Sequence, residues 1–229
     1  MNYLIVNGDD FGASRGINRG ILEAHETGIL TSTSLMVNSP SARDAAALSR
    51  AAPKLSVGLL FDLRIDGKTP ADDSRPRLSA ELRDQLRRFR ALMGRLPTHL
   101  DSHHNVHRDP AALPLFAELA QEFGLPLRGS SAARPFSRFY GWWGGQTHPE
   151  QISVESLARM LRTELDEGIT ELICHPGYVD PDFPTGYATE RAIELQTLCD
   201  PTLRPALADR QIYLVAFHHL ASLAAGLPT

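Results

Sequence analysis

What this chain lacks narrows it first. Its 229 residues contain two cysteines, Cys174 and Cys199, too few for a disulfide framework or a zinc ribbon. No apolar run approaches the roughly 20 residues of a membrane-spanning helix. The opening Met1-Asn2-Tyr3-Leu4 has neither the basic lead nor the apolar core of a secretory signal, so a cytoplasmic location is the default expectation. Excess positive charge is missing too. The net charge is −4, which supports neither nucleic-acid binding nor attachment to an anionic membrane. Gly-x-Gly-x-x-Gly and phosphate loops are absent, against a nucleotide enzyme, and the lack of a Gly-x-Ser-x-Gly elbow argues against a serine nucleophile. No linker, repeat or low-complexity stretch divides the chain. Hydrophobic content of 42% and charged content of 22% are ordinary for a globular protein, and residues 1–229 suit one barrel-sized domain.

What is present is alternation. Apolar or β-branched runs begin near Tyr3, Thr31, Leu55, Thr98, Leu125, Thr170 and Gln211. Nearly every one precedes a helical pattern. Ser14 caps the first helix and Gly28 closes it, Pro53 stops the second, and Gly94 and Gly124 end the next two. Ser153 opens the amphipathic segment that follows, and another helix runs from about Tyr187 to Cys199. Seven strands alternating with helices predict an α/β fold with a parallel sheet and right-handed crossovers: a distorted, TIM-like (β/α)7-type barrel. An open doubly wound sheet is the alternative. Arg64–Arg77, with Gly67, Pro70 and Pro76, reads as a loop. Gly129–Pro149 has no periodicity and carries Phe136, Phe139, Tyr140, Trp142 and Trp143. It is expected to be an aromatic substrate loop over the barrel mouth.

The chemistry concentrates in Thr98–His107, THLDSHHNVH, where Asp101, His103, His104 and His107 crowd a strand-to-helix handover. Alternation places Asp101 and His103 on one face. In a parallel barrel the strand ends converge on one mouth, so Asp9 and Asp10, Asp101 and His103, Arg128, and His175 should meet there. Of two adjacent carboxylates, one can bind a cation and the other handle a proton. Asp and His donors suit Zn²⁺ or a related divalent ion, such as Mg²⁺. Together these groups fit hydrolysis of an amide or ester through activated water.

Four stretches, Asn7–Gly12 (NGDDFG), Val57–Leu63 (VGLLFDL), His99–His107 (HLDSHHNVH) and Glu171–Tyr178 (ELICHPGY), resemble in order the signatures of the YdjC-like family, also described as the chitooligosaccharide deacetylase and hopanoid-biosynthesis-associated group. The resemblance implies a metal-bearing barrel that removes acetyl groups from N-acetylated sugars or sugar-containing lipids. It implies Asp9 as catalytic base, His175 as general acid, and Asp10 and His103 as metal ligands, with His107 as a further candidate. Asp101, Arg128, Trp142, Trp143 and Tyr178 are the candidate substrate contacts. A homodimer is an option. Two places depart from the family pattern. Its third-strand His, a metal ligand, is Leu60 here, and a usual His of the fourth-strand motif is Asn105. Leu cannot coordinate a metal, so the alternative reading is a carbohydrate-binding or regulatory pseudoenzyme with a weakened metal site.

Overall fold

A computed structural model describes residues 1–63, 75–165, 167–181, 183 and 185–226. Most of the loop expected over Arg64–Arg77 lies outside them, and Arg75–Arg77 already belong to a helix. The alternation expected from the sequence is realised. Strands β1 (Asn2–Phe11), β2 (Ser32–Leu35), β3 (Ser56–Phe61) and β4 (Leu100–Ser102) alternate with helices α1 (Arg15–Glu26), α2 (Ala42–Ala51) and α3 (Arg75–Met93). After α4 (Leu113–Phe123) come β5 (Ala133–Phe136) and a small antiparallel hairpin, β6 (Trp142–Trp143) and β7 (Gln146–Thr147). Then follow α5 (Val154–Thr163), β8 (Gly168–Cys174), α6 (Ala188–Leu198), α7 (Leu203–Ala208), β9 (Ile212–Leu214) and α8 (Leu220–Gly226). Ser14 and Ser153 cap α1 and α5 by accepting from Ile17 and Ser156 N–H. Gly124 ends α4 with φ of 63°, a left-handed conformation that glycine adopts without strain. No described helix is long and apolar enough to cross a membrane.

The main sheet is parallel, in the order β4-β3-β2-β1-β8-β5, with β9 pairing the first residues of β1 and β2 its last. The fifth strand is where the structure departs from expectation. Leu125–Arg128 forms only one bridge, Leu127 to Leu100, because Pro126 has no N–H to extend a ladder. The pairing with β8 is taken instead by Ala133–Phe136, inside the stretch expected to be an aromatic loop. Leu127 thus touches one edge of the sheet and β5 forms the other. The sheet curls back on itself as an incomplete barrel, and residues 128–132 span the gap.

The apolar core lies between sheet and helices, with Leu4, Val6, Leu59, Phe61, Ile17, Ile21, Leu86, Phe116 and Leu172 fully buried. A second cluster, Ile5, Ala133, Ile169, Phe217 and Leu220, plugs the end near β9. Inside the curl the side chains are polar. Asn7 Nδ2 donates to Asp9 (2.8 Å) and to Ser34 (2.9 Å), and Ser34 Oγ lies 3.0 Å from His99 Nε2. The His99 ring stacks on Phe217 at 3.7 Å. Burial first, then Arg128, holds its imidazole well below the usual histidine range, so it is neutral.

Gly58 is what lets that ring fit. A β-carbon there would lie 2.3 Å from His99 Cε1, and Ser34, Thr98 and Phe217 leave the ring nowhere to go. Gly58→Ala is expected to destabilise the fold by about 1–3 kcal/mol through overpacking, measured as a lowered urea midpoint. An unchanged midpoint would show that His99 can yield.

Candidate active site

At the mouth of the barrel, a cleft of about 390 Å³ is lined by Asp9, Asp10, His103, Arg128, His175 and Arg191, with Phe139, Tyr140 and Tyr187 among its other walls. Three strand ends supply its acids and imidazoles. The end of β1 is irregular: its register against β2 shifts between Gly8 and Phe11, and Asp10 has φ of 69°. That conformation strains a residue with a β-carbon, and its effect is to separate the two carboxylates. Asp9 points to Arg128 and Asp10 points to Arg191. After β4 the chain turns into a 3-10 segment, His103–Arg108, in which His104 and Asn105 also take positive φ. The turn brings His103 Nε2 to 3.8 Å from Asp10 Oδ1, and its ring lies against His104 at 3.8 Å.

Below the cleft sits a buried ionic cluster. Arg128, 2% exposed, donates to both oxygens of Asp9 at 2.8 Å and to Glu171 at 2.7 Å, and pairs closely with Asp101. Asp101 and Glu171 have no exposed surface. Asp101, expected as a substrate contact, therefore lies beneath the site, whereas Arg128 reaches the floor of the cleft and fixes Asp9 there. Burial pushes the Asp101 carboxyl well above the usual range; Arg128 opposes this, while Asp9 and Glu171 add to it. Glu171 is raised by burial against the pull of Arg128.

Around Asp10 the balance runs the other way. Burial alone would raise its pKa, but Arg191, His175 and His103 outweigh it and hold the carboxyl at about 2. Arg191 Nη2 donates to Asp10 Oδ2 at 2.5 Å. Glu194 backs His175, accepting its backbone N–H at 2.5 Å while taking the Tyr187 hydroxyl on its other oxygen at 2.5 Å. Sequence reasoning gave Tyr187, Arg191 and Glu194 no role in the site, although Arg191–Leu195 also resembles the family pattern. The signal was available: with Glu190, they fall at i, i+3, i+4 and i+7, the spacing of one helix face, and all four are buried.

Other expected positions lie elsewhere. His107 is 1% exposed and bonded through Nδ1 to Ser102 Oγ at 2.7 Å. Burial, then Arg128 and Arg108, hold its imidazole at about 4, a neutral core histidine outside the cleft lining. Tyr178 donates to Glu23 and lies under Arg19. Trp142 and Trp143 form the β6–β7 hairpin, where Trp143 stacks on His148 at 3.6 Å. The aromatic stretch reaches the cleft through Phe139 and Tyr140 instead.

The YdjC-like protein family matches residues 3–209. The chain belongs to the YdjC-like family. It is 36% identical to a carbohydrate deacetylase of Geobacillus stearothermophilus, over 96% of this chain and 99% of that one. A chitooligosaccharide deacetylase of Yersinia pestis is also 36% identical, over 93% and 97%. Among solved structures, a protein of Enterococcus faecalis V583 assigned in name to cellobiose-phosphate cleavage superposes with a TM-score of 0.82 at 27% identity, covering 96% of this chain and 98% of that one.

The resemblance to the YdjC-like pattern would put a divalent cation on Asp10, His103 and a third-strand imidazole, and the residues present can be tested against that expectation. Asp10 Oδ1 is buried without a hydrogen-bond partner and shares a space with the His103 ring. The third place is Leu60, 1% exposed and in register with Asp101. Among the described residues no three His, Cys, Asp or Glu side chains form a metal-binding group. One carboxylate and one imidazole would leave a divalent cation to complete its shell with water or substrate oxygens, and so to be held loosely. They do not fit a three-ligand zinc centre.

The Arg128 cluster yields a prediction. Arg128→Leu should cost about 3–5 kcal/mol, because three buried carboxylates lose their shared cation. Asp101 and Glu171 have native pKa values above their unfolded ones, so the native state holds more protons and stability falls as pH rises above about 4. Removing Arg128 widens that window. The variant's deficit in urea unfolding should shrink from pH 8 to pH 5, and a deficit that grows would contradict this charge balance.

Proposed function

We propose that this chain hydrolyses the acetamido group of an N-acetylated sugar, with Asp9 as the base and His175 as the acid. The observation that carries the reading is the convergence of Asp9, Asp10, His103 and His175 on one cleft in a chain whose relatives are named as carbohydrate deacetylases. A water oxygen attacks the acetyl carbon, the C–N bond breaks, acetate leaves, and the nitrogen takes a proton. Asp9 is placed to receive the water's proton. Arg128 and Asn7 hold its carboxylate oriented. Any carboxylate is a weak base, so the step needs a water more acidic than bulk. A divalent cation held by Asp10 and His103 would supply that acidity and polarise the carbonyl. His175, supported by Glu194, faces the same space and is placed to protonate the leaving nitrogen.

Leu60 favours a second reading, a sugar-binding protein with little or no turnover. One set of measurements separates the two: acetate release from N,N′-diacetylchitobiose with added Mg²⁺, Zn²⁺ or chelator, beside cation binding by equilibrium dialysis. The enzyme reading expects release that a chelator suppresses, and a drop of about 10²–10⁴-fold in Asp9→Asn. Asp10→Ala should abolish cation binding. Leu60→His should strengthen it at least tenfold, by adding a third donor. Release of acetate by Leu60→His alone, with none from the natural sequence, would establish the second reading.

A further inference from the structure

Among the described residues, the cleft has one exposed aromatic face, and it is held firmly. Tyr140 is 38% exposed and lines the cleft. One face of its ring lies on Tyr187, with centroids 4.7 Å apart and planes 4° from parallel. Tyr187 is itself fixed at its hydroxyl, which donates to Glu194 at 2.5 Å and accepts the Gly141 N–H at 2.9 Å. His175 stands edge-on to both rings, 5.9 Å from Tyr140 and 5.6 Å from Tyr187. The second face of Tyr140 is thus presented by a rigid stack whose orientation is set before any ligand arrives, which lowers the ordering cost of binding. Trp143 is more exposed, but one face is covered by His148 and it does not line the cleft.

A pyranose ring has an apolar C–H face about the size of a phenol ring. Such a face gains by covering an aromatic surface while its hydroxyls stay in water or meet polar groups at the rim. The Tyr140–His175 separation is close to the breadth of one sugar ring. A ring seated on Tyr140 therefore carries a ring substituent within reach of His175. The geometry points to Tyr140 as the stacking platform for the sugar whose acetamido group is cleaved, and it rests on the deacetylase reading above. It makes the flat hexopyranose face, rather than the acetyl group alone, a determinant of specificity.

The test uses the full chain and two probes: N,N′-diacetylchitobiose for turnover, and chitobiose, which has no acetyl group to lose, for binding by calorimetry and saturation-transfer NMR. Tyr140→Ala and Tyr140→Leu should bind chitobiose about tenfold more weakly and raise KM more than they lower kcat. Tyr140→Phe should bind as the natural chain does. Tyr140→Leu keeps apolar volume but loses flatness, so it guards against a loss that reflects only poor folding, and thermal melts report the fold directly. Unchanged affinity in the Ala and Leu variants would overturn the platform, as would an equal loss in Tyr140→Phe, which would assign the contact to the hydroxyl. Failure of the natural chain to bind either sugar would overturn the deacetylase reading and the platform together. Binding without acetate release would reject catalysis and leave the Tyr140 comparison decisive for stacking.

Discussion

One buried guanidinium holds this site together. Arg128 draws Asp9 from β1, Asp101 from β4 and Glu171 from β8 onto a single cation, so it ties one edge of the curl to two of its inner strands. Three carboxylates against one arginine leave an excess of buried negative charge, and desolvated charge is expensive unless paired. Burial raises the Asp101 and Glu171 carboxyls against the pull of Arg128, while Asp9 receives two direct bonds from Arg128 and opens onto the cleft. The same interaction that joins these strands thus fixes the one carboxylate of the three that reaches the mouth.

The second arginine divides the labour further. Adjacent residues on a regular strand point to opposite faces, which would bury one of the Asp9-Asp10 pair behind the sheet. The irregularity at the end of β1, with Asp10 in a left-handed conformation, lets both reach the cleft while pairing with different cations. Strain of this kind costs about 1–3 kcal/mol, and it persists because Arg128 and Arg191 hold the two carboxylates apart.

The parts of this design that were legible in the sequence are those with a periodic or local signal. Apolar runs bounded by Gly and Pro placed the strands, and Ser14 and Ser153 marked helix starts through their caps. Strand ends rich in acid and imidazole located the mouth. Where reading failed, the deciding forces were long-range. Leu125–Arg128 has strand composition, but Pro126 limits its pairing and Arg128 is drawn inward by acids from three distant strands. Asp101 shares a motif with His103, yet lies one layer deeper because β4 ends at Ser102 and the chain then turns. The Trp pair attracted attention by size, whereas a tight hairpin carries it away from the cleft and leaves Tyr140 there. The charged face of α6 was visible as spacing, but only the fold shows that this face is buried against His175 and Asp10.

These distinctions bear on Leu60. In a structural metal site the ions carry the folding energy, and losing a ligand unravels the surroundings. Here the neighbours of position 60 are organised by groups that need no metal. Asp101 is paired with Arg128, Asp10 with Arg191, and His99 with Ser34 and Phe217. A leucine in register with Asp101 joins the apolar core and leaves those pairs intact. The fold is therefore indifferent to the third donor, whereas any chemistry that needs an acidified water is not. On the proposed reading, the residue at position 60 would set how firmly a cation is held, while arginine pairing already sets the geometry around it.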